Sequence, residues 1–312
     1  KNKKIFLKLK KILPKNIKSF PIEKKEITEA ILEKKSNLKK IIEIVHTEVR
    51  KKMNNFFSTT FNSRLYEEYA HNFLSTYINT NQEIPVICYV DDDYNYPVHK
   101  NISYIKLHEA MPQILDFKDR HKDIILDLKY EAFSDEEFLQ NAVRFSHKVF
   151  AQVHSSYSKK KFMYVDADNI FRDKITEKFL NDFIPNDVVV TCYGRPNYVE
   201  TGIIGFNATL DEISRIFFDK YLSYYTKDKI FKSKFKTDSQ ALDGTRKEMK
   251  KINGYKEIDR GDGLDGHVIF RDKFMLKYLD HRKGKRKYKE INNKSYYQND
   301  NTAKSVFLFK KI

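Results

Sequence analysis

Two aspartates separated by a single residue follow a short apolar segment, and they are well placed to do chemistry. Asp166 and Asp168 come directly after residues 162–165, an apolar run that predicts a buried strand. Side chains at i and i+2 of an extended backbone point the same way, so both carboxylates meet where the strand leaves the sheet. Such oxygen ligands suit Mg²⁺ or Mn²⁺. A turn without metal is the alternative, because Asp-Ala-Asp-Asn is also good turn chemistry.

A basic segment near residue 285 could complete such a site. His281 supplies an imidazole, which is a good ligand for Mn²⁺. Gly284 would let the backbone approach a phosphate closely, and Lys285, Arg286 and Lys287 would neutralise a diphosphate. Taken alone, a basic surface turn is the alternative interpretation of the segment.

The elements that would position these residues alternate along the chain. Apolar and β-branched runs predict strands at residues 56–61, 84–90, 103–107, 162–165 and 188–192. Apolar spacing predicts helices at residues 64–77, where Tyr69 lies on the apolar face, and at 138–157, 210–225 and 238–249. Residues 200–207 are expected to form a loop that runs into a strand. This order predicts a mainly parallel α/β sheet flanked by helices.

Charge divides the chain of 312 residues into two parts. The net charge is +16, of which residues 1–55 carry +11. Residues 1–22 hold eight lysines interleaved with apolar residues, so we expect them to contact an anionic membrane surface; nucleic-acid binding or a solvated tail are the alternatives. Residues 23–54 read as helical. We therefore expect a basic helical extension over residues 1–54 and a globular domain over residues 55–312.

Two further features bear on location. No apolar run reaches the roughly 18–20 residues needed to span a bilayer, and no signal-peptide core follows the basic start. The only cysteines, Cys88 and Cys192, each lie in a predicted strand, which favours buried reduced thiols over a disulfide. We expect a cytoplasmic protein, with any membrane contact peripheral at the inner face.

The aspartate segment, Tyr-Val-Asp-Ala-Asp, resembles the Asp-x-Asp motif of GT-A glycosyltransferases. The His281-x-x-Gly284-x-x-Lys287 segment resembles the C-terminal segment of family 8 glycosyltransferases, although the Pro-Trp that often follows there is Tyr288-Lys289 here. The nearest likeness is to bacterial and phage GT-A proteins ending in Asp-His-x-Lys-Gly-x-Arg-Lys. Over about residues 55–290, the resemblance implies a Rossmann-like GT-A fold with Mn²⁺ or Mg²⁺ held by Asp166, Asp168 and His281.

The resemblance also implies roles for other positions. Asp238 would lie near the anomeric carbon as the first candidate catalytic carboxylate, and Glu200 would line the sugar and acceptor as the second. The residues implied to bind the nucleotide or donor come from the first strand edge, the second strand end, the helix before the motif, the motif itself and the C-terminal segment: Thr59, Thr60, Phe61, Asn62, Asp91, Arg144, Lys148, Asp166, Ala167, Gly284, Lys285 and Lys287.

The function that these features predict is metal-dependent transfer of a sugar from a nucleotide-sugar, expected to be a UDP-sugar, to a glycan or other hydroxyl acceptor. Surface polysaccharide synthesis is the expected setting. The enzymatic alternative is a phosphatase of the haloacid-dehalogenase type, with Asp262 and Asp265 as its later acidic loop. Against it, about 160 residues precede Asp166, whereas that motif normally opens its domain, and Ile170 departs from its pattern. The second alternative is a basic nucleic-acid-binding protein. The globular part has no such motif, so no nucleic-acid partner is expected.

Overall fold

The computed structural model describes residues 55–123, 135–264 and 268–288. The predicted N-terminal extension, its membrane-contacting segment and Asp265 lie outside these ranges. Everything described below belongs to the globular part of the chain.

Nine strands form two sheets within the described residues. In chain order they are β1 (Phe56–Thr60), β2 (Val86–Val90), β3 (Ile102–Lys106), β4 (Lys161–Val165), β5 (Asn169–Phe171), β6 (Val190–Tyr193), β7 (Glu200–Asn207), β8 (Glu257–Asp259) and β9 (Leu279–His281). Seven of them form one sheet in the order β3-β2-β1-β4-β7-β6-β8. Only β7 runs antiparallel to its neighbours β4 and β6, which confirms the predicted mainly parallel sheet.

Helices cover both faces of this sheet because its central strands are buried on both sides. Along β4, Phe162 and Tyr164 join one core cluster, and Met163 and Val165 join the other. No described helix combines the length and apolarity needed to cross a membrane. The helices are α1 (Ser63–Leu65), α2 (His71–Asn79), α3 (Leu107–Ala110), α4 (Gln113–Arg120), α5 (Asp135–Gln140), α6 (Ala142–Ser156), α7 (Glu177–Phe183), α8 (Asp211–Thr226), α9 (Asp238–Met249) and α10 (Lys273–Leu276).

Three predicted elements differ in detail from the structure. The helix predicted over residues 138–157 is divided at Asn141, whose Oδ1 accepts a hydrogen bond from the Arg144 backbone N–H at 3.0 Å and so caps α6. The helix predicted over residues 64–77 contains a π-helical turn at Tyr66–Ala70 between α1 and α2. Residues 200–207, expected to begin as a loop, are strand throughout because β7 pairs on both edges.

Strands β5 and β9, of three residues each, form a separate pair. In the antiparallel β5–β9 sheet, Asn169 lies opposite His281 and Phe171 lies opposite Leu279. A 3₁₀ turn, Gly284–Tyr288, follows β9. This pairing brings the basic C-terminal segment beside the aspartates that follow β4.

The two cysteines are buried and unpaired, in β2 and β6 respectively. Burial raises the pKa of both thiols, so neither is an activated nucleophile. The predicted reduced state is therefore what the structure shows.

Candidate active site

The aspartates lie in a tight turn at the carboxyl end of β4, a central strand. The Asp166 backbone N–H donates to the Gly202 carbonyl of β7 at 2.9 Å. The Asn169 side-chain amide donates to the Asp166 carbonyl at 2.8 Å. Ala167, between the aspartates, is buried. The turn is thus fixed from both sides, as ligand-bearing residues at strand ends require.

His281 completes a group of three potential metal ligands. Its Nε2 lies 3.0 Å from Asp168 Oδ1 and 3.9 Å from Asp166 Oδ2, and one ligand atom from each residue lies within 4.8 Å of the others. The ring is buried against Gly202, where an added Cβ would stand 2.0 Å from its Cε1. Two carboxylates and an imidazole are a donor set that fits Mn²⁺.

The turn after β9 places cations over the same aspartates. Lys287 Nζ lies 3.4 Å from Asp168 Oδ2, 119 residues away in the chain, and 4.8 Å from the centre of the Tyr69 ring. Gly284 begins this turn with a φ of +59°, in the left-handed region that favours glycine. The Lys285 backbone belongs to the turn, but its side chain lies outside the described part.

A buried ion-pair cluster anchors this turn to the rest of the fold. Asp280 in β9 is buried, and both its oxygens lie 3.0 Å from Arg286 Nη2. Arg172 reaches the same carboxylate at 3.0 Å. Because the buried charge is neutralised from two sides, the position of Lys287 one residue beyond Arg286 is well fixed.

Lys148 joins the metal-ligand group to a further buried carboxylate. Its Nζ lies 2.8 Å from Asp166 Oδ1 and 2.8 Å from Asp238 Oδ2. Asp238 is the first residue of α9 and is buried, with 1% of its surface exposed. Burial alone would lower the pKa of Lys148, but the two aspartates outweigh it and raise the pKa, so the ammonium stays charged.

Glu200 is buried at the start of β7 and is held by two cations. Its Oε1 lies 2.7 Å from Lys283 Nζ, and its Oε2 lies 3.4 Å from Arg195 Nη1. Its Oε1 also accepts from the Gly202 backbone N–H at 3.2 Å and lies 4.0 Å from His281 Nδ1. Glu200 therefore stands behind His281, on the side away from Asp168.

The two motif aspartates have opposite pKa shifts. Burial would raise the pKa of Asp168, but His281 and then Lys287 outweigh it and hold that pKa well below its usual range. Burial raises the pKa of Asp166, against the effect of Lys148, and the neighbouring Asp168 charge raises it further. Two carboxylates this close repel each other, and a divalent cation would relieve that repulsion.

The predicted first-strand residues lie at or just after the end of β1, and Thr60, Phe61 and Asn62 have partners within the fold. The Thr59 side chain is buried within the sheet. The Thr60 hydroxyl donates to the Tyr89 carbonyl at 3.0 Å, and Asn62 caps α1 by accepting from a backbone N–H at 2.9 Å. Phe61 is buried in an aromatic cluster. Their contacts with a nucleoside stay a prediction.

Two other predicted donor residues are not in contact with the three metal ligands in the described geometry, and each has a partner of its own. Arg144 packs over the Phe138 ring, 4.9 Å from its centre, and is close enough to Tyr69 to affect its pKa. Asp91 follows β2 and pairs with His147, its Oδ2 lying 2.8 Å from the ring Nε2. The structure therefore does not place Asp91 beside the motif aspartates.

Several residues of the site were not singled out from the sequence. Tyr69 was assigned to the apolar face of a helix, yet it lies under Lys287. The roles of Gly202 and Lys283 come from contacts with His281 and Glu200 across long sequence separations, which a local pattern does not specify. For Lys283, its position two residues after His281 was the one available indication.

Comparison with known proteins gives distant structural similarities. No protein-family model and no curated protein sequence matches the chain. Mouse xyloside xylosyltransferase 1, in its apo form, is 10% identical with a TM-score of 0.42, over 71% of this chain and 90% of that one. The WbbM bifunctional glycosyltransferase is 10% identical with a TM-score of 0.42, over 67% of this chain and only 39% of its own length. An active-site mutant of LgtC is 12% identical with a TM-score of 0.38, over 64% and 71%.

Proposed function

We propose that this protein is a metal-dependent glycosyltransferase that uses a nucleotide-sugar donor, expected to be a UDP-sugar. The observation that carries the proposal is the meeting of Asp166 and Asp168 with His281 and Lys287 at the carboxyl end of β4. A metal ion held by these ligands and a lysine beside it would together neutralise the charge of a bound diphosphate. Because both segments resemble glycosyltransferase motifs, we infer that this diphosphate is part of a nucleotide-sugar.

The metal would be held by Asp166, Asp168 and His281. Mn²⁺ or Mg²⁺ there would neutralise the negative charge that develops on the departing nucleoside diphosphate. The donor set favours Mn²⁺, because an imidazole is a better ligand for it than for Mg²⁺.

Cationic side chains would bind the diphosphate beside the metal. Lys287 already lies on Asp168, and Lys148 lies on Asp166, so each is within one side-chain movement of a phosphate bound there. Arg144, one helical turn before Lys148 on α6, and Lys285 would assist. A lysine ammonium acts here as a compact point charge for phosphate.

A carboxylate beside the reacting carbon would stabilise the oxocarbenium-like transition state. Asp238 is our first candidate, because it shares the Lys148 ammonium with Asp166 and so lies next to the metal-ligand group. Glu200 is the second candidate. It is paired with two cations and lies behind His281, so it is better placed to hold that ring than to contact the sugar. The acceptor would be a glycan or other hydroxyl compound, and the nucleoside would lie at the end of β1.

The proposal is tested by release of nucleoside diphosphate from a panel of UDP-sugars with Mn²⁺. We expect Asp168→Asn to lower turnover by about 10²-fold or more while the circular dichroism spectrum is unchanged. Asp187→Asn is the matched control, because Asp187 forms an exposed pair with Lys256. Full activity of Asp168→Asn, or parent activity that survives EDTA, would contradict the metal assignment.

The phosphatase alternative is less well supported by the described residues. Asp262, its proposed later acidic residue, forms an ion pair with Arg271 rather than joining Asp166 and Asp168. Phosphate release from sugar phosphates, without any reaction of nucleotide-sugars, would favour that alternative. Oligonucleotide binding that survives physiological salt would favour the nucleic-acid alternative.

A further inference from the structure

A second cluster of metal-ligand side chains lies outside the candidate active site. Asp91 directly follows β2, His108 lies in α3, and His147 lies in α6. One carboxylate oxygen and one nitrogen from each imidazole all lie within 4.8 Å of one another. None of the three belongs to the metal-ligand group after β4.

The orientation of His147 is that of a metal ligand. Its Nδ1 lies 3.0 Å from the Val143 carbonyl, one helical turn earlier, and donates its proton there. In the neutral ring, Nε2 then carries a lone pair, which faces Asp91 Oδ2 at 2.8 Å. The two atoms can share either a proton, as an imidazolium–carboxylate ion pair, or a metal ion that takes the place of that proton. Metal-binding histidines commonly donate their other N–H to a backbone carbonyl in this way.

The second histidine already binds a cation. Lys118 Nζ, from α4, lies 2.6 Å from His108 Nε2 and 3.7 Å from Asp91 Oδ2. An ammonium has only protons to offer, so His108 Nε2 is the acceptor in this contact. His108 Nε2 in turn lies 3.4 Å from Asp91 Oδ1. Two imidazole nitrogens and a carboxylate oxygen thus lie close enough together to bind one metal ion, and Lys118 contacts two of these three residues.

We propose that Asp91, His108 and His147 form a second metal site, selective for Zn²⁺ or a similar transition-metal ion, and that Lys118 supplies the cation when no metal is bound. Two imidazoles and one carboxylate suit Zn²⁺ or Co²⁺ better than Mg²⁺ or Ca²⁺, which prefer oxygen ligands. Lys118 can leave the site because its charge sits on a flexible four-carbon stem.

Metal at this site would tie together three elements at the carboxyl edge of the sheet. It would join the end of β2 to α3 and α6, and His147 directly precedes Lys148 on α6. It would also engage the Asp91 carboxylate, which the sequence resemblance assigns to the nucleoside base. Metal binding at this site can be measured directly, so the test needs no nucleotide-sugar.

The test is Co²⁺ binding, followed by visible absorption and calorimetry, on the full chain without an affinity tag. The Asp168→Asn variant serves as the background, to weaken metal binding after β4. We expect one Co²⁺ per chain in this background and at least tenfold weaker binding when His108→Gln or His147→Gln is added. His121→Gln is the matched control and should change nothing, because His121 pairs with Asp228 at 3.0 Å and belongs to neither group of potential metal ligands among the described residues.

Adding Lys118→Met separates a metal site from a plain ion-pair network. Removing the competing ammonium should tighten Co²⁺ binding at least tenfold, and it leaves both imidazoles and the side-chain stem in place. The proposal is overturned if neither the background nor the Lys118→Met chain binds Co²⁺, or if binding does not respond to either histidine substitution. If a histidine variant fails to fold, the direction of the Lys118→Met effect decides.

Discussion

At the scale of single residues, the candidate site depends on a glycine in β7. Gly202 leaves the space that the His281 ring occupies, since an added Cβ would lie 2.0 Å from Cε1 and 2.3 Å from Nδ1. The ring is fully buried and cannot shift cheaply. A glycine is therefore required at position 202 because the His281 ring approaches the backbone closely, and not because of the backbone conformation there.

We expect Gly202→Ala to displace His281 and to weaken Mn²⁺ binding on the order of 10- to 100-fold, with turnover falling in parallel. Calorimetry with Mn²⁺ measures the first effect and donor turnover the second. Gly205→Ala is the control on the same strand, because its Cβ would meet Ile184 and Phe183 instead. It should lower stability and leave Mn²⁺ affinity as it is. Equal Mn²⁺ affinity in both variants and the parent would contradict this role for Gly202.

Lys287 allows a test of what the basic turn binds. Because its contact would be to phosphate, Lys287→Ala should weaken nucleoside diphosphate binding by about 10-fold or more and nucleoside binding by less than about threefold. Lys277→Ala, an exposed lysine ten positions earlier, should change neither affinity. Titration of both ligands in the presence of Mn²⁺ gives the comparison. If both ligands weaken equally, the turn does not contact the diphosphate.

At the scale of elements, one ion-pair group ties helix α9, which begins with Asp238, to the edge strand β8. Arg246 is buried and holds Glu257 through two contacts, Nε to Oε2 at 2.9 Å and Nη2 to Oε1 at 2.7 Å. Burial alone would raise the pKa of Glu257, but Arg246, Lys250 and Tyr255 outweigh it and lower the pKa to about 2.

The pKa of Glu257 is lower in the folded state than its unfolded value of 4.5, so its ion pairs contribute fully to the free energy of unfolding above that pH. This contribution is lost as the pH falls from 4.5 to about 2. After allowance for partial exposure, this amounts to roughly 1–2 kcal/mol. Urea unfolding should therefore show Glu257→Gln less stable than the parent by that amount at pH 7, with a smaller difference at pH 3. Glu83→Gln, in an exposed pair with Lys174, should leave the free energy of unfolding at pH 7 unchanged, because solvent screens that pair.

Local sequence specifies some elements of the fold and not others. The strand carrying Phe162–Val165 and the helix Asp238–Met249 were predictable because their apolar spacing and flanking residues agree. The strand Glu200–Asn207 was missed in part because its two glycines weaken a strand pattern, while its pairing on both edges is set by tertiary contacts. The contact between Asp168 and His281 was inferred from the family resemblance. No local sequence pattern predicts that the short strands β5 and β9, which lie far apart in the chain, pair with each other.

At the scale of the whole molecule, charge is concentrated before the globular part. Deleting residues 1–22 removes eight lysines and no acidic residue. The shortened chain should keep its activity on a soluble acceptor and bind anionic liposomes more weakly at low salt, since this attraction is screened by salt. Sedimentation with anionic vesicles measures the loss, and neutral vesicles are the control. Equal sedimentation of both chains would leave the segment without a membrane role.

The β5–β9 pair also sets the order in which the molecule can assemble. Joining segments about 110 residues apart costs on the order of 4 kcal/mol in loop-closure entropy, and a few net hydrogen bonds at roughly 1 kcal/mol each barely offset it. The pair becomes favourable only after the seven-stranded sheet has drawn its ends together. We therefore expect the metal-ligand group to form after the central sheet during folding, and local opening of β9 to release His281 while the central sheet stays intact.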